Sequence, residues 1–144
     1  MPPSRTPDPA SAGAHPSPLE ESARPPVIAI SATFTSEAFE PILAFWLREL
    51  KLDLQIRFAP YNQVFQQLLD PSSLLSANRN AMNVVLVRFE DWARFRDAIS
   101  IRELEGEVRN LESALRSAAA TAQSPVLVCL CPNFRDSKAS AGSA

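Results

Sequence analysis

Short continuous apolar runs alternate along this chain with stretches of helical spacing, and that alternation limits the fold more than any other feature. Val27, Ile28, Ala29 and Ile30 form the first run, Met82 to Val87 a second and Pro125 to Cys131 a third. Runs of this kind, bounded by turn residues, suit strands covered on both faces. Lys51 to Phe58 instead alternates, with Leu52, Leu54, Ile56 and Phe58 on one side and Asp53, Gln55 and Arg57 on the other. A half-exposed edge strand has that period. Between the strands, Ile42, Leu43, Phe45, Trp46, Leu47 and Leu50 suit a buried helix opening near Glu40-Pro41. Tyr61, Val64, Phe65, Leu68 and Leu69 suit a second helix, broken or re-capped at Asp70-Pro71-Ser72-Ser73, with Leu74 and Leu75 in a further short turn. Ile101, Leu104, Val108, Leu111, Leu115 and Ala118 recur every three or four residues, the strongest helical period in the chain.

The order β-α-β-α-β-α-β with short connections implies parallel strands joined by right-handed crossovers. The expected architecture is therefore α/β: a parallel sheet of about four strands, order 2-1-3-4, with helices on both faces. Nothing after Pro132 reads as a helix over the fourth strand or as a fifth strand, so the domain reads as incomplete. Residues 1–26 carry 8 of the 13 prolines and read as a disordered tail, residues 27–132 as the domain, and 133–144 as a loose polar tail.

Composition excludes several functions. With 14 Lys+Arg against 16 Asp+Glu and no basic cluster, the chain lacks the electrostatic footprint of nucleic-acid binding. No apolar run is long enough for a membrane span or a signal peptide, which points to a cytoplasmic protein. Its 3 glycines, at 13, 106 and 142, build neither a dinucleotide loop nor a phosphate loop. Cys129 and Cys131 lie too close together for an unstrained bridge and too few in number for zinc, so they read as buried reduced thiols. The single histidine, His15, falls in the amino-terminal tail and removes a histidine-based triad from the domain.

In open α/β sheets, ligands bind beyond the carboxyl ends of the strands where strand order reverses. Here that lies between the first and third strands. Ser31, Thr33, Thr35 and Ser36 follow the first, Arg88, Glu90 and Asp91 the third, and Tyr61, Asn62 and Gln63 the second. Ser31, Thr33 and Asp91 are the candidates for catalysis; Thr35, Tyr61, Asn62, Gln63 and Arg88 are the candidates for binding. No residue is a candidate metal ligand. The Ser and Thr cluster also suits turn and capping chemistry, the acids suit a helix start, and Arg88 either grips an anionic ligand or pairs with Asp91 or Glu90. The aromatic residues Phe34, Phe39, Phe45, Trp46, Phe65, Phe89, Trp92 and Phe95 are placed mostly as core.

The segments IAISATFTSEAFEPILAFWL (Ile28 to Leu47), FAPYNQVFQQLLDPSSLL (Phe58 to Leu75) and NVVLVRFEDW (Asn83 to Trp92) resemble the amino-terminal region of FkbH-like proteins. That family belongs to the haloacid dehalogenase superfamily and accompanies polyketide and nonribosomal peptide synthetases. The resemblance implies a flavodoxin-like or SGNH-hydrolase-like domain that precedes a haloacid dehalogenase domain in full-length relatives. There the catalytic domain passes a glyceryl group to the phosphopantetheine of an acyl carrier protein. No Asp-x-Asp motif occurs in this chain, so no catalytic position of the family transfers to it. The SGNH-type serine position would fall in Ala32 to Phe34, where Thr33 is the only hydroxyl. The resemblance therefore implies a non-catalytic module that docks an acyl or peptidyl carrier protein or synthetase module, and it leaves room for a separate haloacid dehalogenase domain as partner. No cofactor is expected beyond a partner's phosphopantetheine. A degenerate esterase or thioesterase is the alternative, as is a gene fragment without independent function. Self-association through the exposed fourth-strand edge is a further expectation.

Overall fold

The computed structural model describes residues 25–93 and 100–132. His15, Phe95 and the two tails assigned from composition lie outside the described residues, apart from Pro25 and Pro26, which lead into the first strand. Four strands, β1 (Val27–Ala32), β2 (Gln55–Phe58), β3 (Met82–Val87) and β4 (Val126–Leu130), form one sheet in the order β2-β1-β3-β4. Every pairing is parallel, with Ile28 opposite both Ile56 and Met82, and Val85 opposite Val128. The expected α/β class and strand order are both present.

The helices are α1 (Glu40–Glu49), α2 (Val64–Leu69), α3 (Leu74–Ala77) and α4 (Ile101–Thr121), with 3-10 turns at Glu37–Phe39 and Phe89–Ala93. Each start or stop has a local cause. Ser100 caps α4: its hydroxyl accepts the Glu103 N–H at 3.2 Å while the Glu103 carboxylate accepts the Ser100 N–H at 2.9 Å, a capping box. Ser73 caps α3 by accepting the Ser76 N–H at 3.1 Å. At the end of α1, Lys51 takes a left-handed φ of 56°, the Lys51 N–H donates to Arg48 O and the Leu52 N–H to Leu47 O. This is a Schellman stop with lysine where glycine is usual.

The hydrophobic core lies on one face of the sheet. Ala29, Val85 and Val87 pack there against Val64 and Leu68 of α2, Leu75 of α3, and Leu111 and Ala114 of α4. Asn83 sits on the same face and is buried, yet its position is stable because its side chain is satisfied. Its Nδ2 donates to Leu75 O at 2.9 Å, and its Oδ1 accepts from Asn78 Nδ2 at 2.9 Å. Asn78 also reaches the carbonyls of Val27 and Met82, tying β1, β3 and the end of α3 together.

The chain steps from β1 to β2 in one direction and from β2 through β3 to β4 in the other, so right-handed crossovers set α1 alone on the second face. Two expectations fail here. The spacing of α1 is that of a buried helix, with Phe39, Phe45 and Trp46 as core, yet no residue of α1 is buried, with Ile42 58% and Trp46 55% exposed, and Phe39 ahead of it is exposed too. β4 was predicted to be a buried strand, but Leu127 is 49% and Leu130 62% exposed. The apolar pattern is present, but burial needs a covering layer: among the described residues none lies over the outer side of α1, and β4 is only partly covered, with Val126 packed against the core and Leu127, Val128 and Leu130 exposed. Cys129 and Cys131 are accordingly half-buried free thiols rather than buried ones.

Candidate functional site at the carboxyl edge of the sheet

β1 runs on past its last residue through Thr33, whose N–H donates to Leu86 O at 3.1 Å. That bond fixes the Thr33 side chain over the end of β3. Its hydroxyl accepts the Arg88 N–H at 3.0 Å and lies 3.0 Å from Asp91 Oδ2, to which it donates. Asp91 is delivered by the 3-10 turn that begins directly after β3, closed by its own N–H donating to Arg88 O at 3.1 Å. Thr33 is 1% and Asp91 6% exposed. Two sequence candidates for catalysis are thus brought together, and both are buried.

Arg88 completes the cluster. Its Nε donates to Asp91 Oδ2 at 3.0 Å and its Nη2 to Asp91 Oδ1 at 2.8 Å, the two-pronged geometry of a strong guanidinium–carboxylate pair. Its Nε also lies 3.2 Å from Glu90 Oε1, and its guanidinium stands over the Phe34 ring at 5.0 Å from the centroid. The hydrogen bond to Asp91 holds the Arg88 pKa above its usual value; partial desolvation opposes this, and the charges of Asp91 and Glu90 add to it. Of the two roles open to Arg88 in the sequence, the structure displays the internal ion pair.

The other candidates surround this cluster without entering it. Ser31 is fully buried in β1, and its hydroxyl has no hydrogen-bond partner among the described residues. Thr35 is exposed, whereas Ser36 is buried, accepts the Phe39 N–H through its carbonyl, and makes no side-chain cap. Tyr61 is exposed; Asn62 takes a left-handed φ of 54° and donates its N–H to Ala32 O at 3.2 Å. Asparagine tolerates that conformation, so the second loop is stitched to the end of β1 by its backbone. Gln63 precedes α2, and its carbonyl accepts the Gln67 N–H at 2.8 Å.

One further side chain belongs to this edge. Cys131 follows β4, and its N–H donates to Val87 O at 2.8 Å, directly before Arg88. Burial pushes its thiol pKa up, the neighbouring Cys129 adds to the rise, and Arg88 opposes it, so at neutral pH it is a protonated thiol rather than a thiolate nucleophile. The rule that located the other candidates, the carboxyl ends of the strands, also points to this residue once it is applied to the fourth strand.

Chemically the cluster is closed. The Thr33 oxygen is engaged as donor and as acceptor, and both oxygens of the Asp91 carboxylate accept from the Arg88 guanidinium. Among the described residues, no group of three or more His, Cys, Asp or Glu side chains could hold a metal ion, and no helix is long and apolar enough to cross a membrane. No family model, curated protein or solved structure matches the chain.

Proposed function

We propose that this chain is a non-catalytic interaction module that docks a carrier protein, the role implied by its resemblance to the amino-terminal region of FkbH-like proteins. One observation carries the reading: α1, whose residues Ile42 to Leu47 are all apolar, buries none of its residues, and Ile42, Phe45 and Trp46 stand in solvent. Contiguous exposed apolar side chains of this size mark interaction surfaces rather than ordinary surface. The carboxyl edge supports the same reading from the other side, because Thr33, Arg88 and Asp91 satisfy one another and, among the described residues, this cluster leaves no nucleophile beside a free base.

Calorimetric titration of the chain with a phosphopantetheine-loaded acyl or peptidyl carrier protein tests it. Saturable binding is expected, weakened at least tenfold by Ile42→Ala and by Trp46→Ala and unchanged by Thr35→Ala. The alternative is a degenerate esterase or thioesterase, favoured by the hydrogen bond from Thr33 to Asp91. It predicts turnover of an aryl ester or acyl thioester that disappears in Thr33→Val and in Asp91→Asn. Such turnover, without carrier-protein binding, would replace the docking reading.

A further inference from the structure

The two edges of the sheet differ in chemistry. At β2, Gln55 and Arg57 are exposed, Asp53 and Lys51 precede the strand, and Pro60 follows at a position whose missing N–H interrupts the outward row. Charges and proline at an edge are the usual safeguards against pairing with another chain. β4 carries none of them: Val126, Leu127, Val128, Cys129 and Leu130 are uncharged and apolar, with proline only outside the strand at 125 and 132.

The backbone of β4 has a definite polarity. Pro125 O accepts from Asn83 N–H and Cys131 N–H donates to Val87 O, so the odd-numbered residues point their peptide groups toward β3. In a parallel pair the alternate residues face the other way. Val126, Val128 and Leu130 therefore present their N–H and C=O groups to the free edge, where no described strand meets them.

We infer that β4 pairs antiparallel with β4 of a second copy of this chain, about a twofold axis at Val128, to make a continuous sheet. The register follows from the polarity. Centred on Val128, it sets Val128 against its own copy and Val126 against Leu130 of the second copy, and each of these is a hydrogen-bonded pair that uses the outward groups. A register centred on Leu127 or Cys129 pairs only two of the three outward residues within the strand, because the third falls opposite Ser124 or Pro132, and one centred on Val126 or Leu130 pairs only one. Electrostatics permits the match, since no charge on either strand meets a like charge. Every facing pair is apolar: valine with valine, valine with leucine, leucine with cysteine. An isologous contact needs one self-complementary patch, and β4 is one.

α4 agrees with this. Its Glu107, Asn110 and Ala114 face α2, and at 100° per residue Ile101, Val108 and Ala119 fall on the opposite flank, the side of the free edge. Ile101 and Val108 are exposed there, and antiparallel pairing brings this flank beside its own copy.

Sedimentation equilibrium of the full chain, with wild type, Leu130→Lys and Trp46→Ala compared, tests the inference. A dimer is expected for wild type and Trp46→Ala, and a monomer with unchanged far-ultraviolet circular dichroism for Leu130→Lys. Should Leu130→Lys fail to fold, cross-linking decides. The register places Leu127 opposite Cys129 of the second copy as a non-hydrogen-bonded pair with Cα atoms about 4.5 Å apart, within reach of a disulfide. In a Cys131→Ser background, Leu127→Cys should therefore give an oxidised covalent dimer that is lost on adding Cys129→Ser. A monomer at every concentration overturns the inference, and slow amide exchange of Val126, Val128 and Leu130 in that monomer would assign the edge to a segment of the same chain. A dimer that survives Leu130→Lys and does not cross-link overturns it as well, and loss of that dimer in Trp46→Ala would locate the contact at α1.

Discussion

The two faces of this sheet are built from the same kinds of residue and fare differently. On one, Ala29, Val85 and Val87 meet three helices and disappear from solvent; on the other, the single helix α1 keeps Ile42, Phe45 and Trp46 exposed. Apolarity alone therefore does not locate the core. What decides is the number of crossovers that land on a face, and the chain's one step toward β2 against two steps toward β4 gives the faces unequal cover. The larger core cluster lies on the well-covered face, and the recognition surface proposed above lies on the sparsely covered one.

The sharpest way to break this comparison is to cut into the covered face. Leu68→Ala, at the centre of the α2 contact, should cost about 3 kcal/mol in urea unfolding, the usual range for a buried leucine left as a cavity. A loss below about 1 kcal/mol would mean that the face is looser than described. Next in size is the closed polar cluster. Arg88→Met removes the guanidinium and leaves the buried Asp91 carboxylate without its charge partner, which should cost about 2 kcal/mol at neutral pH. Urea denaturation of the two proteins at neutral pH measures that loss.

On the open face the same kind of truncation should do little to stability. Trp46→Ala is expected to stay within about 0.5 kcal/mol of wild type, and its effect should appear in carrier-protein binding instead. A large destabilisation there would show that α1 anchors the fold after all. The smallest effect belongs to Asp70, an exposed carboxylate held below its usual pKa by accepting the Ser72 N–H and hydroxyl, each at 2.8 Å. A lowered folded pKa stabilises above the ordinary carboxylate range and loses that contribution as pH falls through the folded value. Thermal melting of Asp70→Asn should thus sit slightly below wild type near neutrality and converge with it in strong acid.

Much of this was legible from residue order. The apolar runs at Val27 and Met82, the alternation up to Phe58 and the period from Ile101 each became the expected element, and their succession implied the parallel order 2-1-3-4 that the sheet has. The start of α4 is also local, since Ser100 and Glu103 stand at capping-box spacing. Cover was not legible: the pattern of α1 is that of a buried helix, and only the topology shows how little is packed against it. Strand limits shifted for a similar reason. Leu52 and Leu54 continue the alternation, but the Schellman stop at Lys51 holds the chain near the end of α1 until Gln55 reaches β1. At the carboxyl edge the residue types were readable and their engagement was not, because the contact between Thr33 and Asp91 spans 58 positions.

The central proposal is that the open face, rather than the carboxyl edge, binds the carrier protein. Chemical-shift mapping of the isotope-labelled chain on titration with a phosphopantetheine-loaded carrier protein tests it most directly. The account predicts shifts concentrated at Ile42, Phe45 and Trp46, with Thr33, Arg88 and Asp91 unmoved. Shifts confined to Thr33, Arg88 and Asp91, or none at saturating carrier protein, would contradict it.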